Sequence, residues 1–402
     1  EPTDEQIRKK FQDYRLAAPG RYESATSFGF GYLQPRRVNL RYLWIVGDAV
    51  RKAAVPAEQQ LQAYWAEHRE EFADDTGTPR PYAEVEGEII ERLRSPLAEQ
   101  MARDLAARAR ELLQQYGKEP SSQAVANPYR WVRSQLIAPE EQVEKVLRRT
   151  VRMDVRSLAL GPAVTTLARR AELRAIAFPT GKEQAVLDPN IRITLSGEMT
   201  LGAALKDVAR QAQWPEVTWA MVRGLPGTLY PRTEADLPLR ADETGLISLE
   251  QASDIPPLAT AVSANNQQLL SLAFPQPAGP DQPEPPAVQA GQTGPEMAVR
   301  GDGGGRLLWS VAEAVDARSP QKITDAIRRQ VVADLKLKAA FAKARQAARK
   351  INSVERFEQA VDANTFRVST AGPLTRLQVM GRSVPGIDLP LMLDVRNEFR
   401  NL

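Results

Sequence analysis

Apolar residues recur at helical spacing along two long, widely separated stretches of this chain. Tyr82, Val85, Ile89, Leu93, Leu97, Leu105, Leu112 and Tyr116 mark the buried face of a helix predicted over Tyr82–Tyr116, with Gly117 as its C-terminal stop. Pro96 lies inside that run and has no N–H to offer the Arg92 carbonyl, so a kink or break is expected there. Ile323, Ile327, Val331, Leu335, Phe341, Ala344, Ala348 and Ile351 predict a second long helix over Pro320–Ile351, with Ser319 as N-cap and a shorter helical piece at Ser353–Val361. At 1.5 Å per residue the second helix is roughly 48 Å long, the proportions of an arm. Such helices bury an apolar stripe only against a partner, so each must pack on something.

Shorter elements surround them. Pro2–Leu16 reads as a helix capped by Thr3, with Gln6 in the capping-box position. A turn at Pro19-Gly20 leads to the aromatic-glycine patch Phe28-Gly29-Phe30-Gly31-Tyr32. Val38, Leu40, Tyr42 and Trp44 alternate with mostly polar neighbours and predict a strand over Arg37–Val46. Pro56 opens a helix whose stripe is Leu61, Tyr64, Trp65, His68 and Phe72, followed by a loop at Asp74–Pro81. Pro139 opens another helix, Glu140–Thr150. From Leu173 the style changes. Short strands at Leu173–Phe178, Ile191–Leu195 and Val217–Val222 surround a helix at Leu201–Gln213, which predicts a small βαβ-like or split α+β module. Pro275–Gly305 is rich in Pro, Gly and Gln and reads as a linker or loop; Leu307–Val315 returns as a strand, and Leu374–Met380 reads as a last one.

Composition narrows the chemistry. With 43% hydrophobic residues in 402, the chain has material for two or three globular domains. Its 53 basic and 50 acidic residues leave a formal charge of only +3 and are interspersed, which is a solvated surface and not a nucleic-acid footprint. Cysteine is absent, which removes disulfides, thiolate nucleophiles and cysteine-based zinc sites. The single histidine, His68, rules out a site built from several imidazoles. No apolar run is long enough to span a membrane, and the chain opens Glu1-Pro2-Thr3-Asp4, which reads as a fragment or a processed form.

No catalytic residue, cofactor or metal ligand is assigned. His68 is expected to pack on the Trp65/Phe72 face. Glu70-Glu71 and Asp74-Asp75 lack the spacing of a calcium loop and read as a solvated helix end. The glycine run at 301–305 is followed by arginine and a strand, not by the Gly-Lys-Ser/Thr and helix of a phosphate loop. Arg328, Arg329, Lys336, Lys338, Lys343, Arg345, Arg349 and Lys350 read as a solubilising face, with anionic lipid or an acidic client as the other reading. Phe28, Phe30, Tyr32, Tyr42 and Trp44 are either a mini-core between strand and helix or an adaptable surface for extended peptide. Met is scarce, with 7 residues, which argues against a Met-rich groove.

Two blocks resemble a known family. Val55-Pro56-Ala57-Glu58 through Tyr64-Trp65 to Phe72, followed by Tyr82–Ile89, is similar to an N-terminal element of the SurA/PpiD/PrsA periplasmic foldases. Leu307-Leu308-Trp309-Ser310-Val311 to Val315, and then Pro320 to Lys350 with Val331, Asp334 and Ala344, is similar to that family's last strand and terminal helix. The resemblance covers residues 35–116 and 245–350. It implies a chaperone on the outer side of the inner membrane, periplasmic or tethered, holding unfolded or nascent polypeptides, with inner-membrane translocation machinery as a further partner. For such a function Phe28, Phe30, Tyr32, Tyr42, Trp44, Tyr64 and Trp65 are the candidate client-binding residues. The family's parvulin prolyl-isomerase domain uses histidines, and residues 117–305 contain none. A second stretch, Ile193-Thr194-Leu195 and Met199-Thr200-Leu201-Gly202-Ala203-Ala204-Leu205, resembles small secretin-type envelope modules, which are binding modules.

The expected fold is therefore mainly α with α+β elements: a split helical chaperone-like lobe with an inserted small α+β module. Residues 1–117 would form its N-terminal half, 118–171 a helical connector, 172–235 the insertion, 236–274 a return segment, 275–305 a linker, and 306–402 the C-terminal half with the helix at 320–351. The strand at 37–46 is expected to pair with the one near 307–315. The expected function is that of an envelope chaperone holding non-native chains without covalent chemistry; a divergent peptidyl-prolyl isomerase and a structural adaptor of an envelope assembly are the alternatives.

Overall fold

The computed structural model describes residues 2–17, 19, 28–122, 124–179, 188, 190–215, 217–225, 227–275, 287–301 and 303–348. The expected helix at 353–361 and strand at 374–380 lie outside them. The chain divides into two compact units, one built from the segments before residue 37 and after residue 315, the other from Arg37–Val315.

In the first unit, α1 (Asp4–Tyr14) is opened by the capping box read from sequence: the Gln6 N–H donates to Thr3 Oγ1 at 3.3 Å and the Thr3 N–H to Gln6 Oε1 at 2.9 Å. Its Ile7 and Phe11 are buried with Tyr32 and with Ile327 and Val331 of the C-terminal helix, Asp325–Ala348. That helix starts later than Pro320. Thr324 precedes it and its Oγ1 accepts from the Ile327 N–H, while the expected cap, Ser319, donates its hydroxyl to the Arg15 carbonyl.

The second unit is built on a five-stranded antiparallel sheet. β1 (Arg37–Val46) runs straight into α2 (Gly47–Ala53). α3 (Glu58–Glu67) and the long α4 (Tyr82–Gln115) follow, and α4 passes through Pro96 as one continuous helix. After α5 (Pro128–Leu136) and α6 (Glu140–Leu147) come β2 (Thr150–Ala159), α7 (Leu160–Arg170), β3 (Ala175–Ile176), β4 (Arg192–Thr200), α8 (Leu201–Gln211), β5 (Trp219–Ala220) and β6 (Thr228–Pro231). The chain returns through β7 (Leu239–Ser248), α9 (Leu249–Ser253), α10 (Pro256–Ala259), β8 (Ala261–Ser263), α11 (Leu269–Ala273), β9 (Met297–Val299) and β10 (Gly305–Val315).

The large sheet has the order β7-β1-β10-β9-β8. β1 pairs with β10 from Arg37↔Val315 to Val46↔Gly305, with a bulge at Asn39/Leu40, which is the long-range pairing the two sequence blocks suggested. The period of two sorts β1 between two cores. Leu43 and Ile45 join α2, α4 and α5 on one face; Leu40, Tyr42, Trp44 and Val46 join the α9–α11 side on the other, with Leu307, Trp309 and Val311 of β10. A separate core gathers Val151, Met153 and Val155 of β2 and Ile193 and Leu195 of β4 against Val164, Leu167, Leu205 and Val208 of α7 and α8, between the two-stranded β2-β4 sheet and the three-stranded β3-β6-β5 sheet.

The mainly-α expectation is overturned. Among the described residues helix makes up 46% and strand 23%, a mixed α/β composition with three sheets. The missed strands explain the error. β7 is an edge strand carrying Asp242, Glu243 and Thr244, so it lacks the apolar alternation of a central strand. β2 does alternate, but it follows α6 after only two residues, and the expected helix at 140–150 ran over its start. The Pro/Gly-rich stretch is structured from 287 onward: Val288 is buried, the Gly294 N–H donates to the Trp309 carbonyl, and β9 pairs with β10. Residues 276–286 of that stretch lie outside the described part.

Candidate functional site

The seven aromatic residues expected to hold a client fall in three places. Phe28, Phe30 and Tyr32 belong to the first unit. Phe28 stacks on Phe30 with ring centroids 5.2 Å apart and meets Phe341 edge-on, so this part of the set behaves as a mini-core. Tyr32 donates its hydroxyl to Asp334 Oδ2 at 2.9 Å. Burial, and then the carboxylate beside it, raises the Tyr32 pKa; burial also raises that of Asp334 against the bond from Tyr32. Lys10 completes this cluster, its Nζ 3.8 Å and 3.7 Å from the Tyr14 and Phe30 ring centroids and without a hydrogen-bond partner.

Tyr64 and Trp65 sit in a satellite cluster with Leu61, Phe72, Val85 and Ile89. Tyr64 lines a groove of about 360 Å³ with Pro56, Leu93, Pro96 and Leu97, whereas Trp65 is held by Tyr82 and by a bond from its Nε1 to the Arg80 carbonyl. His68 stacks on Tyr64 rather than on Trp65, with centroids 4.0 Å apart and Nδ1 2.9 Å from the Tyr64 carbonyl oxygen. The acidic pairs have local roles: Glu71 pairs with Arg92 at 2.6 Å, and Asp74 closes a turn by accepting from Thr76 and Thr78, bonds that lower its pKa. Among the described residues no group of three or more His, Asp or Glu is placed to hold a metal ion.

Tyr42 and Trp44 share one face of β1 and line a cleft of about 930 Å³ in the second unit. Each is only 7% exposed, so what they offer is a floor and not a greasy patch. Cross-strand pairing sets their neighbours: Trp44 faces Arg240 and Tyr42 faces Asp242. The Arg240 guanidinium lies 5.0 Å above the Trp44 ring. Burial and then the Asp242 carboxylate push the Tyr42 hydroxyl up to about 12. The Trp44 indole N–H donates to the Gly304 carbonyl at 2.9 Å, and Gly303 passes so close that a Cβ there would sit 2.8 Å from the ring. The glycine run is thus shaped to an indole. Ile255, Pro256 and Pro257 close one wall, and α5 sends Arg130 and Arg133 over the other.

Arg130 and Arg133 also line an adjoining cavity of about 490 Å³ with Arg223 and Arg232, and Glu140 is the one carboxylate among the described residues that line it. The i, i+3 spacing puts both α5 arginines on one helix face. Asn127 caps that helix through the Tyr129 and Arg130 N–H groups and Pro128 occupies its first turn, a local signal within the expected helical connector that marks its start. Arg223, Arg232 and Arg240 are brought in by β5, β6 and β7 neighbourhoods, and no local signal in the sequence joins them.

On the C-terminal helix Arg328, Arg329, Lys336, Lys338, Lys343 and Arg345 are exposed, and Arg349 and Lys350 lie outside the described residues. Among the described residues no helix is long and apolar enough to cross a membrane. In comparisons with known proteins the chain matches no family model, no curated protein and no solved structure.

Proposed function

We propose that this chain is an envelope chaperone of the periplasmic foldase kind, holding non-native polypeptide without covalent chemistry on the outer side of the inner membrane. The observation that supports it best is the open cleft on the sheet face of the second unit, with an aromatic floor and a rim of arginines anchored on backbone carbonyls. An extended chain can lie along such a surface, stacking on ring edges and bonding its carbonyls to guanidinium groups, with no reacting group required. The test is light scattering of a refolding client with and without stoichiometric protein. Delayed aggregation supports holding; an unchanged trace removes it.

A structural adaptor is the second reading. It is favoured by the β2-β4 sheet, a two-stranded ribbon with one face on the α7/α8 core and the other, carrying Arg152, Asp154 and Arg156, exposed to solvent. Size-exclusion with light scattering and a pull-down separate the two: one stable stoichiometric partner favours the adaptor, many weak clients the chaperone.

A further inference from the structure

We infer that the cleft and its adjoining cavity form one cationic trough that selects extended acidic polypeptide segments. This deepens the holding function and rests on it.

Six cations line the two cavities: Lys52, Arg130, Arg133, Arg223, Arg232 and Arg240. Among the described residues four carboxylates share that lining, Asp48, Glu140, Glu234 and Asp242, so the described lining carries more positive than negative charge, and most so in the second cavity. The manner of anchoring matters more than the count. Arg133 donates to the Leu239 carbonyl at 2.9 Å, Arg240 to the Ala235 carbonyl at 2.9 Å and Arg223 to the Gln135 carbonyl at 3.2 Å. A neutral acceptor fixes a guanidinium without cancelling its charge, and each fork keeps further N–H groups for a ligand. Arg240 Nε is buried and has no acceptor. Two ion pairs of the trough's arginines, Arg130–Asp242 at 3.4 Å and Arg232–Glu140 at 3.7 Å, are long and exposed, the kind that contributes little and exchanges readily for a better carboxylate.

The ligand chemistry follows. Carboxylates suit bidentate guanidinium contacts. The floor of Tyr42, Trp44, Ile255 and Pro256 lowers the local dielectric and suits apolar side chains between the acidic ones. A uniformly charged polyphosphate chain would run against Asp48, Glu234 and Asp242, whereas a peptide can space its charges around them.

The experiment uses the full chain and three fluorescein-labelled Gly/Ser peptides of equal length, one Glu-rich, one uncharged and one Lys-rich, read by fluorescence anisotropy. The Glu-rich peptide is expected to bind about tenfold tighter than the uncharged one or better, and to lose that advantage between about 50 and 300 mM NaCl. The exposed set Arg130→Gln/Arg223→Gln/Arg232→Gln should remove it with an unchanged melting temperature; the Arg→Lys set at the same positions should restore part of it. Equal affinity for the Glu-rich and uncharged peptides overturns the inference, a result that needs no variant. So does a triple variant that binds as the parent does, or polyphosphate of equal charge displacing the peptide at lower concentration. Light scattering with one acidic and one basic client separates the two proposals. Protection of both clients, retained by the triple variant, keeps the holding function and sinks the trough. Peptide selectivity as expected with neither client protected keeps the trough and sinks the holding function.

Discussion

Gly305 is where a single methyl group should do the most damage to the sheet that carries the cleft. It begins β10 opposite Val46, with φ at +101°, and a Cβ there would lie 2.0 Å from the Ile45 carbonyl oxygen and 2.6 Å from the Gly47 nitrogen. Both obstacles are backbone atoms of β1 and α2, which cannot rotate away as a side chain can. The conformational term for a non-glycine residue at such φ is about 1–3 kcal/mol. Overpacking against fixed atoms adds about 1–3 kcal/mol. Gly305→Ala should therefore cost about 2–6 kcal/mol, which for a unit of this size is on the order of 10 °C in melting temperature. Gly291→Ala is the control. Its φ is +81° but nothing lies within 4 Å of the added Cβ, so only the conformational term, about 1–3 kcal/mol, applies. Thermal unfolding of both variants by circular dichroism decides the matter. If the two melt together, the steric reading of the β1–β10 junction is wrong.

Other outcomes follow from buried polar groups. In the first unit, burial and then Lys338 lower the Lys10 amine to about 8 from an ordinary 10.5, against the pull of Asp334 and Asp13. Between those values the unfolded chain binds more protons than the folded one, so stability should rise with pH across that window and the burial cost should be complete below about pH 8. Lys10→Met, which keeps the stem and removes the charge between Tyr14 and Phe30, should raise the melting temperature at pH 7 and flatten that rise; a lower melting temperature would show that the cation–π contacts outweigh desolvation. In the second unit the Tyr230 hydroxyl is buried without a partner, so Tyr230→Phe should be neutral or stabilising by up to about 1–3 kcal/mol in urea unfolding, and a clear loss would reveal a bond the hydroxyl makes. A protease-coupled proline-peptide assay should run at the uncatalysed rate, since the single histidine is stacked on Tyr64 and bonded to its carbonyl; any acceleration that scales with protein concentration contradicts this.

Legibility in the sequence followed how local each signal was. α1 was readable to its cap because Thr3 and Gln6 act on each other three residues apart. β1 and β10 were readable because a central strand buried on both faces is dense in Leu, Trp, Ile and Val. β7 was not, because Asn39, Arg41 and Arg130 supply partners for its Glu243 and Asp242 from elsewhere in the chain. The same holds for the cleft. Tyr42 and Trp44 stood out as aromatics in a strand, but the arginines that give the trough its sign come from α5 and from three later strands' surroundings. Their convergence is a product of topology.

One long-range signal was present in the sequence and carries a further test. Leu160, Gly161, Ala163, Ala168 and Ala171 recur forty-one positions on as Leu201, Gly202, Ala204, Ala209 and Ala212. The structure repeats with them. α7 and α8 each follow a strand directly, and each ends in a left-handed residue, Glu172 at φ 55° and Gln213 at φ 53°. The Leu173 N–H then donates to the Ala168 carbonyl and the Trp214 N–H to the Ala209 carbonyl, both at 2.8 Å. The two halves differ at their sheet edges. Gln211 accepts from the Thr194 N–H at 2.9 Å and donates to the Thr194 carbonyl at 3.0 Å, standing where a neighbouring strand's peptide would stand. Its counterpart in the first half is Arg170, which cannot accept and so cannot serve as that plug. One edge of the ribbon is thus closed by a side chain, which is how a protein blocks strand addition on the wrong side. Gln211→Ala should remove both bonds, cost about 1–3 kcal/mol, and expose the β4 edge. The measurement is light scattering after size-exclusion over a tenfold range of protein concentration. Association that grows with concentration in the variant alone supports edge protection, whereas a variant as monodisperse as the parent across that range means the Gln211 amide guards nothing.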